Sequence, residues 1–402
     1  MMSDIDYSND YSDPHLLWQS GDYAVYNRTV LFIPDTYSYL WAVLFIATIV
    51  TAAGGNIIVI WIVLTNPRMR TVTNCFLVNL AVADVLNTTF NMIPASYQNI
   101  AQDWIFGRTM CKICLANGYF CVMATVLSLV AITLDRYRAI VYPLKPRLSR
   151  LTTIGVVVVI WSLSACFAYP VVLFTTVETL FYQISNTKIR ICYVKWPDGA
   201  EFWGLDNFIY HMCFAVFTYV LPLCVMAACY SVIGVKLWRS QMPGESVPNR
   251  PRPHLEAKRR VVKMIVVVIT IFALCWLPIH VYYVLVYTYK ELYLVPHIDK
   301  LFYFIWWLSM SNSMCNPFIY CWLNDRFRKG FQYVFRWLPC VHLVQPPETS
   351  KSVIRSRTGN FTMMSMHSTS SGKRNASRNS SFMTTTTMYE CQDSILADDN
   401  AM

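Results

Sequence analysis

Asp84 is the one formally charged residue well inside the long apolar stretches of this 402-residue chain. A carboxylate at such a depth is expensive, roughly 2.5–3.5 kcal/mol on insertion scales, and marks a functional site unless polar neighbours or a cation compensate it. A second charged group, Asp135-Arg136-Tyr137, closes the third apolar stretch and sets a carboxylate beside a guanidinium. Taken alone, that tripeptide reads as charges at the membrane interface. Pro222, Pro278 and Pro317 interrupt three other stretches. Each removes a backbone hydrogen bond and leaves carbonyls free to rearrange. No His, Cys or Ser nucleophile is arranged around Asp84 at matching depth, so an enzyme would lack its convergent site. The available chemistry is ion pairing and helix rearrangement.

The elements that hold these residues follow from hydropathy. Hydrophobic residues make up 55% of the chain and charged residues 14%, against about 25% charged in an average soluble domain. A helix needs about 20 apolar residues to cross about 30 Å of hydrocarbon, and seven stretches qualify. They run approximately 39–64, 72–97, 107–134, 153–174, 207–235, 262–286 and 301–322. The fold expected is an all-α membrane protein, a seven-transmembrane helix bundle spanning 39–323. A secondary transporter would show repeated halves, and none is found.

The formal charge of +10 points to a membrane surface rather than to nucleic acid, because Lys and Arg cluster between the apolar runs. Arg136, Arg138, Lys145, Arg147 and Arg150, the basic residues from Lys236 to Lys263, and Arg326, Arg328 and Lys329 fall on one side of the bundle. That side carries more than twice as many as the other, which predicts a plasma-membrane protein with its N-terminus outside. The acidic segment 1–38 is expected to be extracellular and has no apolar run, so the first span would do the targeting. After the seventh span, Asn324 can cap a short amphipathic eighth helix (324–340) with an apolar stripe of Phe327, Phe331, Val334 and Phe335. It would lie along the inner membrane face, with Cys340 open to palmitoylation. The Ser- and Thr-rich segment 341–402 reads as a disordered cytoplasmic tail offering phosphorylation sites. Asn27, followed by Thr29, is the only glycosylation sequon in the outer segments.

Position by depth gives these residues a family resemblance. Gly55-Asn56, the run Asn79-Leu80-Ala81-Val82-Ala83-Asp84, Asp135-Arg136-Tyr137, Trp161, Pro222 with Tyr230, Cys275-Trp276-Leu277-Pro278 and Asn316-Pro317-Phe318-Ile319-Tyr320 fall on successive spans. The pattern resembles rhodopsin-class G-protein-coupled receptors. The resemblance implies that Arg136 releases Asp135 on activation and faces a heterotrimeric G protein, helped by Tyr230 and Tyr320. It implies an allosteric sodium ion at Asp84, Thr125, Asn312, Ser313 and Asn316, with Asn56 nearby. A protonated Asp84 in a hydrogen-bonded core is the alternative. No other cofactor is expected. Cys111 and Cys192 both fall outside, on the oxidising side, and a disulfide between them is predicted.

Absences narrow the ligand. Gly118 stands where amine receptors carry an aspartate, and Met310 where opsins carry the retinal lysine. Arg68-Met69-Arg70-Thr71-Val72-Thr73-Asn74, Pro146-Arg147-Leu148-Ser149, Arg260-Val261-Val262-Lys263-Met264, Cys275-Trp276-Leu277-Pro278-Ile279-His280 and the run from Cys321 to Arg328 resemble tachykinin receptors. That resemblance implies an amidated peptide ligand, signalling through Gq and calcium, and arrestin and receptor kinases acting on the tail. It assigns Asn91, His211, His280, Tyr283 and Tyr287 to the peptide pocket, and Trp306 at the aromatic-rich outer end would suit an aromatic peptide side chain. Ala95, Cys114 and Val171 replace polar residues of the vertebrate receptors, so an altered peptide preference is expected. An RFamide-type or related neuropeptide is the runner-up.

Overall fold

A computed structural model describes residues 36–146, 148–182, 187–198, 204–239, 253–289, 291–292, 295 and 298–337. Asn27, Cys340 and the segments 1–35 and 338–402 lie outside the described residues. In chain order the elements are α1 (Thr36–Thr65), α2 (Val72–Asn87) continued through a π turn (Thr88–Met92) into α3 (Ile93–Ala101), α4 (Gly107–Val141) and α5 (Arg150–Phe174). The strands β1 (Thr175–Tyr182) and β2 (Thr187–Val194) come next, and then α6 (Leu205–Ala215), continued through a second π turn (Val216–Val220) into α7 (Leu221–Arg239). The chain ends its described part with α8 (Pro253–Thr288), α9 (Ile298–Leu323) and α10 (Asp325–Val334).

Six of the seven long units are by length and composition apolar enough to cross a membrane. The seventh, α9, misses that measure because Ser309, Ser311, Asn312, Ser313 and Asn316 lie along it, all of them buried. Its polarity is turned into the bundle, where it serves the site below. Most helices run past the apolar windows, since backbone hydrogen bonding does not stop at the hydrocarbon boundary. Local caps fix several starts: the Thr71 hydroxyl accepts from Asn74 N, Ser149 from Thr152 N and Asn324 from Arg326 N.

The π turns have a common cause. One ends two residues before Pro94 and the other two residues before Pro222. A proline ring clashes with the carbonyl four residues earlier, here Phe90 and Thr218, and a widened turn absorbs that clash. Pro317 acts differently. The carbonyl it frees, that of Ser313, accepts the Asn56 side-chain amide at 2.9 Å and so ties α1 to α9.

The expectation of an all-helical chain needs one amendment. β1 and β2 form an antiparallel pair between α5 and α6, with Val177 opposite Cys192. Thr175, Thr176, Val177 and Thr179 supply β-branched residues suited to a pleated surface. The pair is fastened from outside, as two strands alone are marginal in water. Among the described residues, α4 is the central helix: Cys121 to Val126, Ser128, Leu129, Ile132 and Thr133 are all buried.

Candidate functional site

Three stations follow one another along the bundle. The outermost is an aromatic box. His211 on α6 stacks on Tyr283 of α8, with ring centroids 4.0 Å apart and planes 19° apart. Tyr287 lies one turn above, 6.4 Å from Tyr283. Below, His280 sits 4.8 Å from Tyr219 and 6.2 Å from Trp276. Tyr119 closes the α4 side against Tyr210 and Phe214 at 5.2 and 5.0 Å. Both histidines are about nine-tenths buried, and His211 Nδ1, His280 Nε2 and Trp276 Nε1 have no hydrogen-bond partner. Buried polar atoms are nearly always paired, so three unpaired nitrogens in one aromatic cluster are candidates for pairing with a ligand's polar groups.

The hairpin lies at the outer end of this box and is held by several fastenings. Cys111 at the start of α4 is disulfide-bonded to Cys192. Asp103 receives the Arg190 side chain in a two-armed contact, at 3.1 Å from Nε and 2.6 Å from Nη2, and accepts the Arg190 backbone N–H at 2.8 Å. That bonding holds the Asp103 carboxyl below the usual carboxylate range. Trp104 N–H donates to the Arg190 carbonyl at 2.8 Å. Within the loop, Lys195 pairs with Glu178 at 2.8 Å and lowers the Glu178 pKa. The Trp196 indole donates to Asn207 at the start of α6.

The middle station is Asp84, only 2% exposed. Ser313 Oγ donates to one carboxylate oxygen and Asn316 Nδ2 to the other, each at 2.9 Å. Asn56 reaches the same place through the Ser313 carbonyl, and its own Oδ1 has no partner. Thr125 and Asn312 are buried. A second chain of bonds runs from Trp161 to Asn79 to Ser128, both at 2.8 Å, and ties α5, α2 and α4 together.

At the inner station, Asp135 accepts from Thr73 Oγ1 at 2.7 Å and lies 3.5 Å from Arg136 Nη2. Tyr137 meets Tyr142 edge to face at 6.1 Å. The Tyr320 hydroxyl is buried without a hydrogen-bond partner, and its ring rests on Phe327 of α10 at 5.6 Å. An apolar seam of Leu77, Leu129, Ile132, Met264, Ile265 and Val268 surrounds Tyr320. Arg260 on α8 forms an ion pair with Asp325 on α10, which also pairs with Arg328.

The amino-acid sequence matches known proteins. A sequence profile described as 7 transmembrane receptor (rhodopsin family) matches residues 55–320. The chain belongs to the rhodopsin family of seven-transmembrane receptors. It is 40% identical to the tachykinin-like peptides receptor 99D of Drosophila melanogaster over 326 residues, 81% of this chain and 62% of that receptor. The substance-P receptor of Homo sapiens is 41% identical over 302 residues, 75% of this chain and 72% of its own length. The neuromedin-K receptor of Cavia porcellus is 40% identical over 304 residues, 76% and 67%. The match thus spans less than two thirds of the fly receptor. Membership places the chain among multi-pass membrane receptors rather than enzymes.

Within this rhodopsin-family receptor, the sequence-derived pocket residues do not all converge. His211, His280, Tyr283 and Tyr287 share the aromatic box. Asn91 lies apart from it, buried between Asn87, whose Oδ1 it meets at 3.0 Å, and Cys114. A Cβ at Gly118 would come within 3.0 Å of the Asn91 amide, so the glycine makes room for that amide. Trp306 packs on Phe45 of α1 at 5.6 Å. Ala95 and Cys114 pack under the disulfide with Trp104, and Val171 is fully buried. Sequence reasoning missed Tyr119, Tyr210, Phe214 and Tyr219. Their only signal was aromatic type on inward positions, shared with many aromatics that face lipid.

Proposed function

We propose that this receptor binds a short tachykinin-like peptide with an amidated C-terminus on its outer face and passes the signal to a heterotrimeric G protein of the Gq class. The observation that carries the reading is the aromatic box with three unpaired nitrogens, in a chain whose relatives are named as receptors for tachykinin-like peptides, substance P and neuromedin K. A carboxamide offers a donor and an acceptor to groups such as His211 Nδ1 and His280 Nε2, and aromatic walls suit an adjacent aromatic side chain. The extracellular N-terminus and plasma-membrane location belong to the same reading. So do kinase and arrestin action on the tail.

An agonist works only by binding one arrangement better than the other. Contact with His280 would act on Trp276, one turn below. Loosening of the seam around Tyr320 would let the inner end of α8 swing out, exposing Arg136 to the G protein. Sodium belongs to the resting arrangement in this proposal. Asp84, Ser313, Thr125, Asn312 and Asn316 offer oxygen donors suited to a hard cation, and the unpaired Oδ1 of Asn56 lies beside them. The ion would supply the charge that neutralises Asp84; without it, Ser313 and Asn316 already satisfy both carboxylate oxygens.

The test is calcium release in cells expressing the chain, with an amidated tachykinin-like peptide compared with its free acid. The amide is expected to be at least tenfold more potent, and His280→Ala to erase most of that difference at equal surface expression. Equal potency of amide and acid would overturn the reading. A response confined to RFamide-type peptides would replace it with the neighbouring peptide class.

A further inference from the structure

The disulfide that fastens the hairpin has a free thiol beside it. Lys112 and Ile113 separate Cys111 from Cys114, the Cys-x-x-Cys spacing that sets two sulfurs on one helical turn and serves thiol–disulfide chemistry elsewhere. Both cysteines lie on α4, and together with Trp104 and Cys192 they form one buried cluster. Ten cysteines among the described residues are free, and Cys114 alone of these belongs to the cluster that holds the disulfide. Its thiol is weakly engaged: it donates to the Asn91 carbonyl at 3.6 Å and to the Asn91 side-chain oxygen at 3.9 Å, and a thiol is a weak donor.

Helix geometry decides whether Cys114 can reach Cys111. Residues three apart on an α-helix have Cα atoms roughly 5 Å apart, within the span of about 4.4–6.8 Å that a disulfide bridges. Their Cβ atoms stand about 5–6 Å apart and a disulfide needs about 4 Å, so α4 must tighten locally. A 3₁₀ turn does so by eclipsing positions i and i+3, and such turns are frequent near helix starts. α4 begins at Gly107, one turn before Cys111. Tightening has an energetic cost, so Cys192 is the resting partner of Cys111 and Cys114 is the second one.

We propose that Cys111 is shared between two partners, and that exchange with Cys114 releases the Cys192 thiol of the hairpin. The Cys114 sulfur gives up its proton and attacks Cys111 Sγ. The Cys111–Cys114 bond forms as the Cys111–Cys192 bond breaks, and Cys192 leaves as a thiolate that takes up a proton in its turn. No oxidant or reductant is consumed, and the step belongs to the seconds-to-hours range of disulfide reshuffling. After exchange the hairpin still has the Asp103–Arg190 pair and the Trp104 backbone bond, so it is loosened at Cys192 and not cast off. The inference does not depend on which peptide the receptor recognises.

The full chain in nanodiscs, held at about pH 8 where thiols begin to ionise, then quenched with acid and alkylated before digestion with trypsin, provides the test. Lys112 lies between the two cysteines, so trypsin leaves segments 109–112 and 113–136 joined only if Cys111 is bonded within α4. Bonding to Cys192 joins 109–112 to 191–195 instead. Alkylation of Cys192 is expected to be at least about fivefold higher in wild type than in Cys114→Ser, with Cys121→Ser behaving as wild type. In Cys192→Ser, matured in the oxidising secretory compartment, the joined 109–112 and 113–136 mass is expected to predominate and to vanish on adding Cys114→Ser. Equal Cys192 alkylation in wild type and Cys114→Ser would overturn the proposal, and so would free thiols at both Cys111 and Cys114 in Cys192→Ser. Should Cys192→Ser fail to fold, the comparison of wild type with Cys114→Ser decides alone, and Cys114→Ala replaces the serine variant if that one misfolds.

Discussion

At the outer end of the bundle, β2 is held by a covalent bond at Cys192, a two-armed ion pair at Arg190 and a backbone hydrogen bond from Trp104. At the inner end, α8 meets its neighbours through an apolar seam around Tyr320 and the exposed pair Arg260–Asp325. The first set resists displacement in every direction. The second can part without breaking a covalent bond or stranding a deeply buried charge, because Arg260 and Asp325 are already half in water, at 57% and 45% exposure. The difference assigns work to each end: the outer end keeps the aromatic box in shape, and the inner end is the part able to open. The paired Asp84 between them links α2 to α9 and is the natural place for the two to communicate.

Breaking the outer end should have the largest effect. Cys111→Ser with Cys192→Ser frees a hairpin joined to α4 across a separation of 81 residues. The membrane already restrains α4, so the loss is put at the low end for a native disulfide, about 2 kcal/mol. Peptide affinity is expected to fall at least tenfold with surface expression reduced. Unchanged affinity in the double-serine variant would mean that the ion pair and backbone bonds suffice and that the covalent fastening is redundant.

The inner end should respond more mildly. An exposed ion pair contributes about 0.5 kcal/mol after solvent screening, so Asp325→Asn is expected to raise ligand-free signalling by roughly twofold at equal expression. The reciprocal swap, Arg260→Asp with Asp325→Arg, should bring it back toward wild type. If the swap signals like the single variant, the pair is incidental and the apolar seam alone keeps the inner end shut.

The contrast between the ends also explains what could be read from sequence. Span number and the depth of Asp84, Asp135 and Pro317 were legible because twenty-residue apolar windows leave little freedom. Side-chain direction around a helix was not. Trp306 and Trp307 are adjacent in sequence, yet both reach α1, one packing on Phe45 and the other donating to Thr48 at 3.0 Å. The hairpin was equally hidden, since its register depends on fastenings to Cys111 and Asp103, far away in sequence. Asn91 was picked out as a ligand contact from resemblance; its engagement with Asn87 and Cys114 needed coordinates.

The smallest effect concerns acid. The Arg190 side chain depresses the Asp103 pKa in the folded receptor. A depressed carboxylate contributes stability that is present above its unfolded pKa and lost as pH falls through its folded one. The ordinary value is 3.8, so the fastening should be intact at pH 7 and pH 5 and weaken only below about pH 4. Arg190 is 46% exposed, which keeps the contribution to a few tenths of a kcal/mol, roughly 0.3. Hydrogen exchange of the hairpin amides, corrected for intrinsic pH dependence, provides the readout. Wild type should show equal protection at pH 7 and pH 5 and a loss of less than about twofold near pH 3.5, whereas Asp103→Asn should show the reduced protection already at pH 7. Matching protection in the two proteins at neutral pH would remove the ion pair from the outer set and leave the disulfide as its main fastening.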